Sequence, residues 1–412
     1  MRTLRKILRY LLLTLFVAVL LAYALFQMPF VQTWLSSKAI GKVEEIFDAR
    51  ITLGRIALKP FTTLIIQDLN VIDPAPISES ARDTLLHVDQ LSATFSLMSL
   101  MGPGHEDFIL KRVKLKGATF SLVIEGGEIY STNLTRMFHI RSDAPAREPV
   151  EKDIFHIQHL EGEGIRYTMQ NFSIDLGEKP PYSIDWCDFE VYDANLEATD
   201  FRMSHGRFYA DVSHMDFKEK TGWVVTHMSG STVSGRGDAY IYNLHVEDDT
   251  GSHFDADYRM VGKTDDFKDY VNKVYMSVDV HESHLSASTL AHFIPALYPD
   301  RSCFFNLVGH AEGPVVNLSM KNARLAVDGT RISTVGNGRV TGLPEYRKMG
   351  MDLSFTNTHF NSKDLTKLLH SIAPASSELD LGRLGGGLMH KADIYAKGNI
   401  NDLLCRIGLQ QS

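Results

Sequence analysis

Two hydrophobic rhythms divide the chain. From Ile7 to Phe26 nearly every position is apolar, and no charge follows Arg9 within that run. A helix of about 20 such residues spans the hydrocarbon core of a bilayer, so the stretch predicts a transmembrane anchor. Val31, Trp34, Leu35, Ala39, Val43, Ile46 and Phe47 then recur at helical spacing behind Pro29, with Lys38, Lys42, Glu44 and Glu45 between them. This pattern predicts an amphipathic helix that either lies on the membrane or packs on the body. Val31, Trp34, Leu35, Val43 and Phe47 are its candidate membrane-interface residues.

From Ile51 the period becomes two. Met349, Met351, Leu353 and Phe355 alternate with Gly350, Asp352 and Ser354; Val274, Met276, Val278 and Val280 alternate with Tyr275, Ser277 and Asp279. Leu91, Ala93, Phe95 and Leu97 do the same, as do Val316, Leu318 and Met320. Such alternation predicts antiparallel strands with one apolar and one polar face. Turn signals fall at Asp248–Gly251, Gly126-Gly127, Asp328-Gly329 and Asn337-Gly338. Helical patterns are few, the clearest being Ser288–Ile294 and Ser362–Ile372.

The expected fold is mainly β, an N-terminal transmembrane helix followed by an elongated antiparallel sheet with few short helices. So few helices cannot cover a long apolar face. Either the sheet closes on itself as a sandwich or barrel, or the face stays open as a groove. The segments read as 1–28 (cytoplasmic tip and anchor), 29–50 (amphipathic helix), 51–142 (first β region), 143–152 (loop or linker) and 153–412 (repetitive β region).

Internal repeats support growth by added strand units. His284–Leu290 aligns without gaps on His359–Leu365, and Ala311-Glu312-Gly313 on Ala396-Lys397-Gly398. A weaker copy lies at Phe189–Thr199. Leu110, Val113, Leu115, Gly117 and Phe120 are matched by Ile157, Leu160, Gly162, Gly164 and Tyr167. Leu53, Ile56 and Leu58 give a fragment of the same pattern.

Charge and composition narrow the function. A formal net charge of -8, with no basic stripe beyond the first residues, argues against a nucleic-acid partner. Arg2, Arg5, Lys6 and Arg9 precede the anchor, which places the N-terminus in the cytoplasm and the body outside. Ala22-Tyr23-Ala24 also resembles a signal-peptide cleavage site, although the apolar run exceeds a usual h-region; either reading exports the body. Cys187, Cys303 and Cys405 are too scattered for a disulfide framework or a metal knuckle.

Candidate chemistry is sparse, and no cofactor, metal or enzymatic activity is expected. His156/His159 and His281/His284 are spaced three apart, which on a strand puts them on opposite faces unless a bulge intervenes. Asp248, Asp249, Asp255 and Asp257 lack the spacing of a calcium loop. Gly385-Gly386-Gly387 has no following Gly-Lys-Ser/Thr, Arg236-Gly237-Asp238 falls in a turn, and no GxSxG elbow occurs.

In order, the anchor, the helix VQTWLSSKAIGKVEEIF, the strands ITLGRIALKPFTTLIIQDLNVIDP, DTLLHVDQLSATFSL and FILKRVKLKGATFSL, and Ser131-Thr132-Asn133-Leu134 resemble the AsmA/TamB superfamily of envelope proteins. The likeness covers about residues 1–140; beyond it only the repeats and alternation agree. It implies an inner-membrane anchor, a periplasmic β-groove (a β-taco) that accommodates lipid, and a role in moving phospholipid toward, or assembling, the outer membrane. The chain is short for TamB-like members and shows no recognisable closing element, so the expectation is a short or truncated member. In that reading the in-phase residues Val278, Val280, Val316, Leu318, Met351, Leu353 and Phe355 line the groove. The expected partners are membrane phospholipid and the inner membrane. An alternative is an assembly scaffold that templates outer-membrane barrel proteins by β-augmentation; an anchored hydrolase is a weaker third.

Overall fold

The computed structural model describes residues 49–59, 62–74, 76, 82–95, 108–125, 132–134, 155–173, 177–235, 237–263, 266, 269–343, 345, 348–373, 390–399 and 402–410. The expected anchor, the amphipathic helix with Val31, Trp34, Leu35, Val43 and Phe47, the 143–152 loop and the Gly385–Gly387 run lie outside these residues. Among the described residues no helix is long and apolar enough to cross a membrane.

One curved sheet of eighteen strands makes up the body. Its strands are β1 (Arg50–Thr52), β2 (Arg55–Lys59), β3 (Thr63–Ile72), β4 (Thr84–Phe95), β5 (Phe108–Ile124), β6 (Phe155–Asn171), β7 (Asp188–Ser204), β8 (Arg207–Glu219) and β9 (Val224–Gly235). There follow β10 (Asp238–Asp248), β11 (His253–Val261), β12 (Tyr275–Ser286), β13 (Phe304–Gly313), β14 (Asn317–Val327), β15 (Ser333–Thr341), β16 (Gly350–Phe360), β17 (His390–Asn399) and β18 (Asp402–Gln410). Among the described residues three short helices interrupt them: α1 (Tyr270–Lys273), α2 (Ala287–Phe293) and α3 (Ser362–Ile372). From β2 onward each strand pairs with its neighbour in sequence, and β1 shares the edge of β3 with β2. All these pairs are antiparallel except β5–β6. A parallel pair needs a long crossover, and the chain between β5 and β6 supplies it.

The shorter repeat explains that exception. Leu110, Val113, Leu115 and Phe120 lie beside Ile157, Leu160, Gly162 and Tyr167 in the parallel ladder, each at the same sequence offset. Equivalent residues of two repeats therefore sit side by side. Asn133 clips the crossover to β5: its Oδ1 accepts from the Val123 and Leu134 N–H groups at 3.0 and 2.9 Å, and its Nδ2 donates to the Ser121 carbonyl at 2.8 Å. Leu134 then packs on Leu85 and Phe120.

The longer repeat marks two strand-to-helix junctions. Ser286 caps α2 by accepting from Thr289 N at 2.9 Å, and Asn361 caps α3 by accepting from Asp364 N at 2.8 Å. These caps occupy equivalent positions of the aligned segments. A side-chain oxygen at this position satisfies a first-turn N–H that has no helical partner. Gly313 and Gly398 share a positive φ at the other matched signature. The weaker copy, Phe189–Thr199, lies within β7 and has no helix after it.

A seam of β-bulges crosses the sheet. Every pair from β6–β7 to β16–β17 has at least one one-residue register shift, and the pairs from β6–β7 to β9–β10 have two or three. A bulge leaves one residue out of the ladder, bends its strand and increases the local twist. At the seam Gly164, Asn243, Asn322 and Asn357 adopt positive φ. Each one's freed N–H donates to an Asn or Asp side chain of the next strand: Asn195 (3.3 Å), Asp257 (2.8 Å), Asn337 (2.9 Å) and Asp393 (3.2 Å) respectively.

Asn337-Gly338 is thus not the turn the sequence predicts. It sits inside β15, where Asn337 caps the bulge and Gly338 gives room to the neighbouring strand; a Cβ there would lie 2.6 Å from the Asp352 carbonyl oxygen. The Asp248–Gly251 and Asp328-Gly329 signals do form the β10–β11 and β14–β15 connections. Both predicted helices are present as α2 and α3.

The seam sets a stability test. Asn322→Gly keeps the left-handed conformation and should change stability by no more than a few tenths of a kcal/mol, whereas Asn322→Val should cost about 1–2 kcal/mol. Asn337→Ala should cost up to about 1 kcal/mol by replacing the acceptor of the exposed Asn322 N–H with water. Urea denaturation of the three variants measures the difference.

Candidate functional site

Register places most of the sequence-selected residues on one face. Directly paired residues in an antiparallel ladder share a face. One such row runs through Ile241, Tyr258, Val278, Ala311, Met320, Gly338, Leu353, Ala396 and Cys405. Leu318, Val340 and Met351 form the adjoining row on the same face. Val280 pairs with Ala256 and Gly309, and Phe355 with Gly336 and Ile394, again on that face. Val278, Val280, Leu318, Met351, Leu353 and Phe355 are all half-buried, and the described residues form a single sheet with no second one over it.

Val316 is the exception. It lies in the turn before β14, where its carbonyl accepts from Gly342 N at 2.9 Å and its N–H donates to the Val271 carbonyl at 3.0 Å. The alternation with Leu318 and Met320 suggests a strand residue, but strand pairing begins only at Asn317.

Sequence reasoning missed the same-face residues Phe254, Ala256, Tyr258 and Met260 of β11, although they alternate strictly with His253, Asp255, Asp257 and Arg259. It also missed Ile241 and Leu244 of β10, for a different reason. They are three apart, yet they pair with Tyr258 and Ala256, which are two apart, because a bulge intervenes.

The opposite face is polar and held by cross-strand charge pairs. His245 Nδ1 meets Asp255 at 2.7 Å, His281 meets Asp257 at 3.0 Å, His310 meets Asp279 at 2.6 Å, and Lys397 meets Asp352 at 2.7 Å. A bulge does fall between Val280 and Ser283, so His281 and His284 share this face. Their partners are separate, however. His284 hydrogen-bonds Asn306 at 2.8 Å and stacks on Phe304 at 4.5 Å. His156 pairs with Asp200 at 2.9 Å. No group of three His, Cys, Asp or Glu among the described residues could hold a metal ion.

The aspartate cluster likewise disperses. Asp249 pairs with Arg301 at 2.9 Å, Asp255 and Asp257 take the two histidines, and Asp248 is buried at the β10–β11 turn. Cys187, Cys303 and Cys405 form no disulfide with one another.

At one rim α2 and α3 lie over the apolar face. Ala287, Phe305 and Val327 are buried together with Leu290 of α2 and Leu368 and Ile372 of α3 around them. The chain before β7 crosses to α2. Ser183 Oγ donates to the Ala291 carbonyl at 2.9 Å, Ile184 N to the His292 carbonyl at 2.9 Å, and His292 Nδ1 lies 2.7 Å from the Tyr182 carbonyl. Segments about 110 residues apart are tied in this way, which requires the sheet between them to curve. Glu219 is fully buried beneath this contact; one carboxylate oxygen accepts from Thr221 N at 2.8 Å and the other has no partner.

Under α2 lies a cavity of about 360 Å³, bounded by Trp223, Val246, Phe254, Leu285, Leu290, Phe293 and Leu307, with Asp248, Ser252 and Thr289 at its wall. At the other rim Tyr270 of α1 meets Tyr258, Met260 and Met276, with its hydroxyl 3.1 Å from the Met276 sulfur.

Comparison with protein-family models gives no match, and comparisons with curated proteins and with solved structures give no significant match.

Protonation separates the two faces. Burial holds His292 below its ordinary value of 6.5, opposed by its bond to the Tyr182 carbonyl and the nearby charge of Glu219. His245 and His310 are raised above 6.5 by hydrogen bonds to Asp255 and Asp279. The α2 contact should therefore lose stability as pH falls through 6.5 toward the lower His292 value, because the unfolded histidine takes up a proton first. The outer pairs behave oppositely: their contribution is full below 6.5 and is lost as pH rises through their raised values. The protection of α2 amides against exchange, relative to their intrinsic rates, should fall on acidification in the wild type. That pH dependence should shrink in His292→Gln.

Proposed function

We propose that the chain is a membrane-anchored carrier that holds or shields phospholipid acyl chains in an apolar β-groove between the inner and outer membranes of a two-membrane envelope. The observation that carries this reading is the apolar face itself. It continues from β10 to β18, largely half-buried as far as β17 and exposed on β18, and among the described residues the helices lie over it at its rims. Contiguous apolar surface of that extent marks a place where apolar partners bind. In this reading the bulges bend the strands that carry them, and the two halves on either side of the seam serve as the walls of the groove.

Burying an acyl chain against these walls contributes about 0.8 kcal/mol per methylene. Head groups remain in water at the open seam between the walls. No residue arrangement suggests energy coupling, so direction comes from a gradient or a partner. Ile7–Phe26 is the proposed anchor, fixing one end of the groove at the inner membrane with the N-terminus in the cytoplasm. Val31, Trp34, Leu35, Val43 and Phe47 would meet the bilayer surface there.

A second reading rests on β18. This edge strand has no outer partner among the described residues, and Leu404 and Ile407 are 57% and 60% exposed on its opposite faces. Such an edge accepts an added strand, which fits an assembly scaffold for outer-membrane barrel proteins. Cross-linking separates the readings: barrel-protein adducts at β18 favour the scaffold, and lipid adducts on the apolar face favour the carrier.

Charged substitutions test the carrier directly. Val280→Asp or Leu353→Asp should lower phospholipid co-purifying with the full chain about tenfold, the equivalent of losing roughly two methylene contacts at about 0.8 kcal/mol each. Ser354→Asp, on the outer face, should leave it unchanged. Equal lipid content in folded Leu353→Asp and wild type would rule the carrier out.

A further inference from the structure

The cavity beneath α2 differs from the rest of the apolar face because it has a roof. From the groove reading, on which this step rests, we infer that the cavity is a fixed seat for the terminal segment of one phospholipid acyl chain, entered tail-first. Its volume of about 360 Å³ falls within the range of small-molecule sites, roughly 300–1,000 Å³.

The lining decides the chemistry of the occupant. Trp223, Val246, Phe254, Leu290, Phe293 and Leu307 offer carbon surface. The polar groups at the wall are already committed. The Asp248 carboxylate accepts from Thr250 N at 2.9 Å, Ser252 N at 3.2 Å and Trp223 Nε1 at 3.3 Å, and also from the Thr289 hydroxyl. Ser252 Oγ and Thr289 Oγ1 bond each other at 2.7 Å, and Ser286 Oγ lies 2.9 Å from Thr289 Oγ1. Nothing there remains to receive a phosphate, an amine or a sugar hydroxyl. A stable water would need two to four polar partners, and the lining does not supply them. An alkyl tail needs none.

The roof makes the seat preformed. α2 is tied on one side to the β10–β11 turn through Thr289 and Asp248, and on the other to Tyr182, Ser183 and Ile184. A site held from both sides loses little conformational entropy on binding. The head group must then lie away from α2, over the unroofed part of the face around Val278 and Leu353.

Trp223 reports occupancy. The chain has three tryptophans, Trp34, Trp186 and Trp223, so the full chain carrying Trp34→Phe and Trp186→Phe leaves Trp223 as the sole fluorophore. Phospholipid vesicles brominated at the acyl terminus should quench it several-fold more than vesicles brominated next to the glycerol ester. Leu307→Phe, which fills the seat, should abolish that difference. No quenching, or equal quenching from both bromine positions, with lipid still co-purifying, would overturn the seat and leave the groove standing. Absence of co-purified lipid from the same preparation would instead count against the groove reading.

Discussion

A residue squeezed out of a β-ladder leaves an N–H with no strand partner, which turns to a side chain or to water. In this protein the acceptor is repeatedly an Asn or Asp on the next strand: Asn195 for Gly164, Asp257 for Asn243, Asn337 for Asn322 and Asp393 for Asn357. Because each cap comes from the neighbouring strand, the bulges are held in adjacent positions instead of scattering. The result is a crease across the sheet. Without the caps these exposed N–H groups would turn to water, and the bulge positions would be less firmly fixed.

The crease has a second consequence. An unbulged strand keeps its faces by strict alternation, but a strand with one extra residue keeps its apolar side only if the sequence skips a beat there. β10 does so: Ile241 and Leu244 share a face although three residues separate them. One side of the sheet therefore stays apolar on both halves, and the other stays polar and charge-paired. The rims are then partly closed, by α2 and α3 at one side and by Tyr270 of α1 at the other. Curvature, face separation and partial roofing are the physical ingredients of a lipid-holding groove.

Much of the fold was legible in the sequence. The period of two over Val274–Val280 and Met349–Phe355, the helix at Ser362–Ile372 and both repeats correspond to elements of the structure. The shorter repeat even marks residues that are lateral neighbours in the β5–β6 ladder. Asn337-Gly338 was misleading because the same pair that favours a hairpin turn also suits a bulge cap beside a tightly packed strand. Val316 failed at an element boundary, where alternation continues one residue past the ladder. The cavity under α2 was not legible at all. It depends on Tyr182–Ile184 meeting α2, a contact between distant segments that local patterning cannot encode.

Photo-crosslinking with a phospholipid that carries a diazirine within its acyl chain tests the account most directly, with adducts mapped by mass spectrometry on the full chain in native membranes. Adducts should fall on Val278, Val280, Met351, Leu353, Phe355 and their same-face neighbours, and be absent from the opposite face around Asp279, His310 and Asp352. Adducts spread evenly over both faces, or confined to residues 1–50, would contradict a groove that holds lipid.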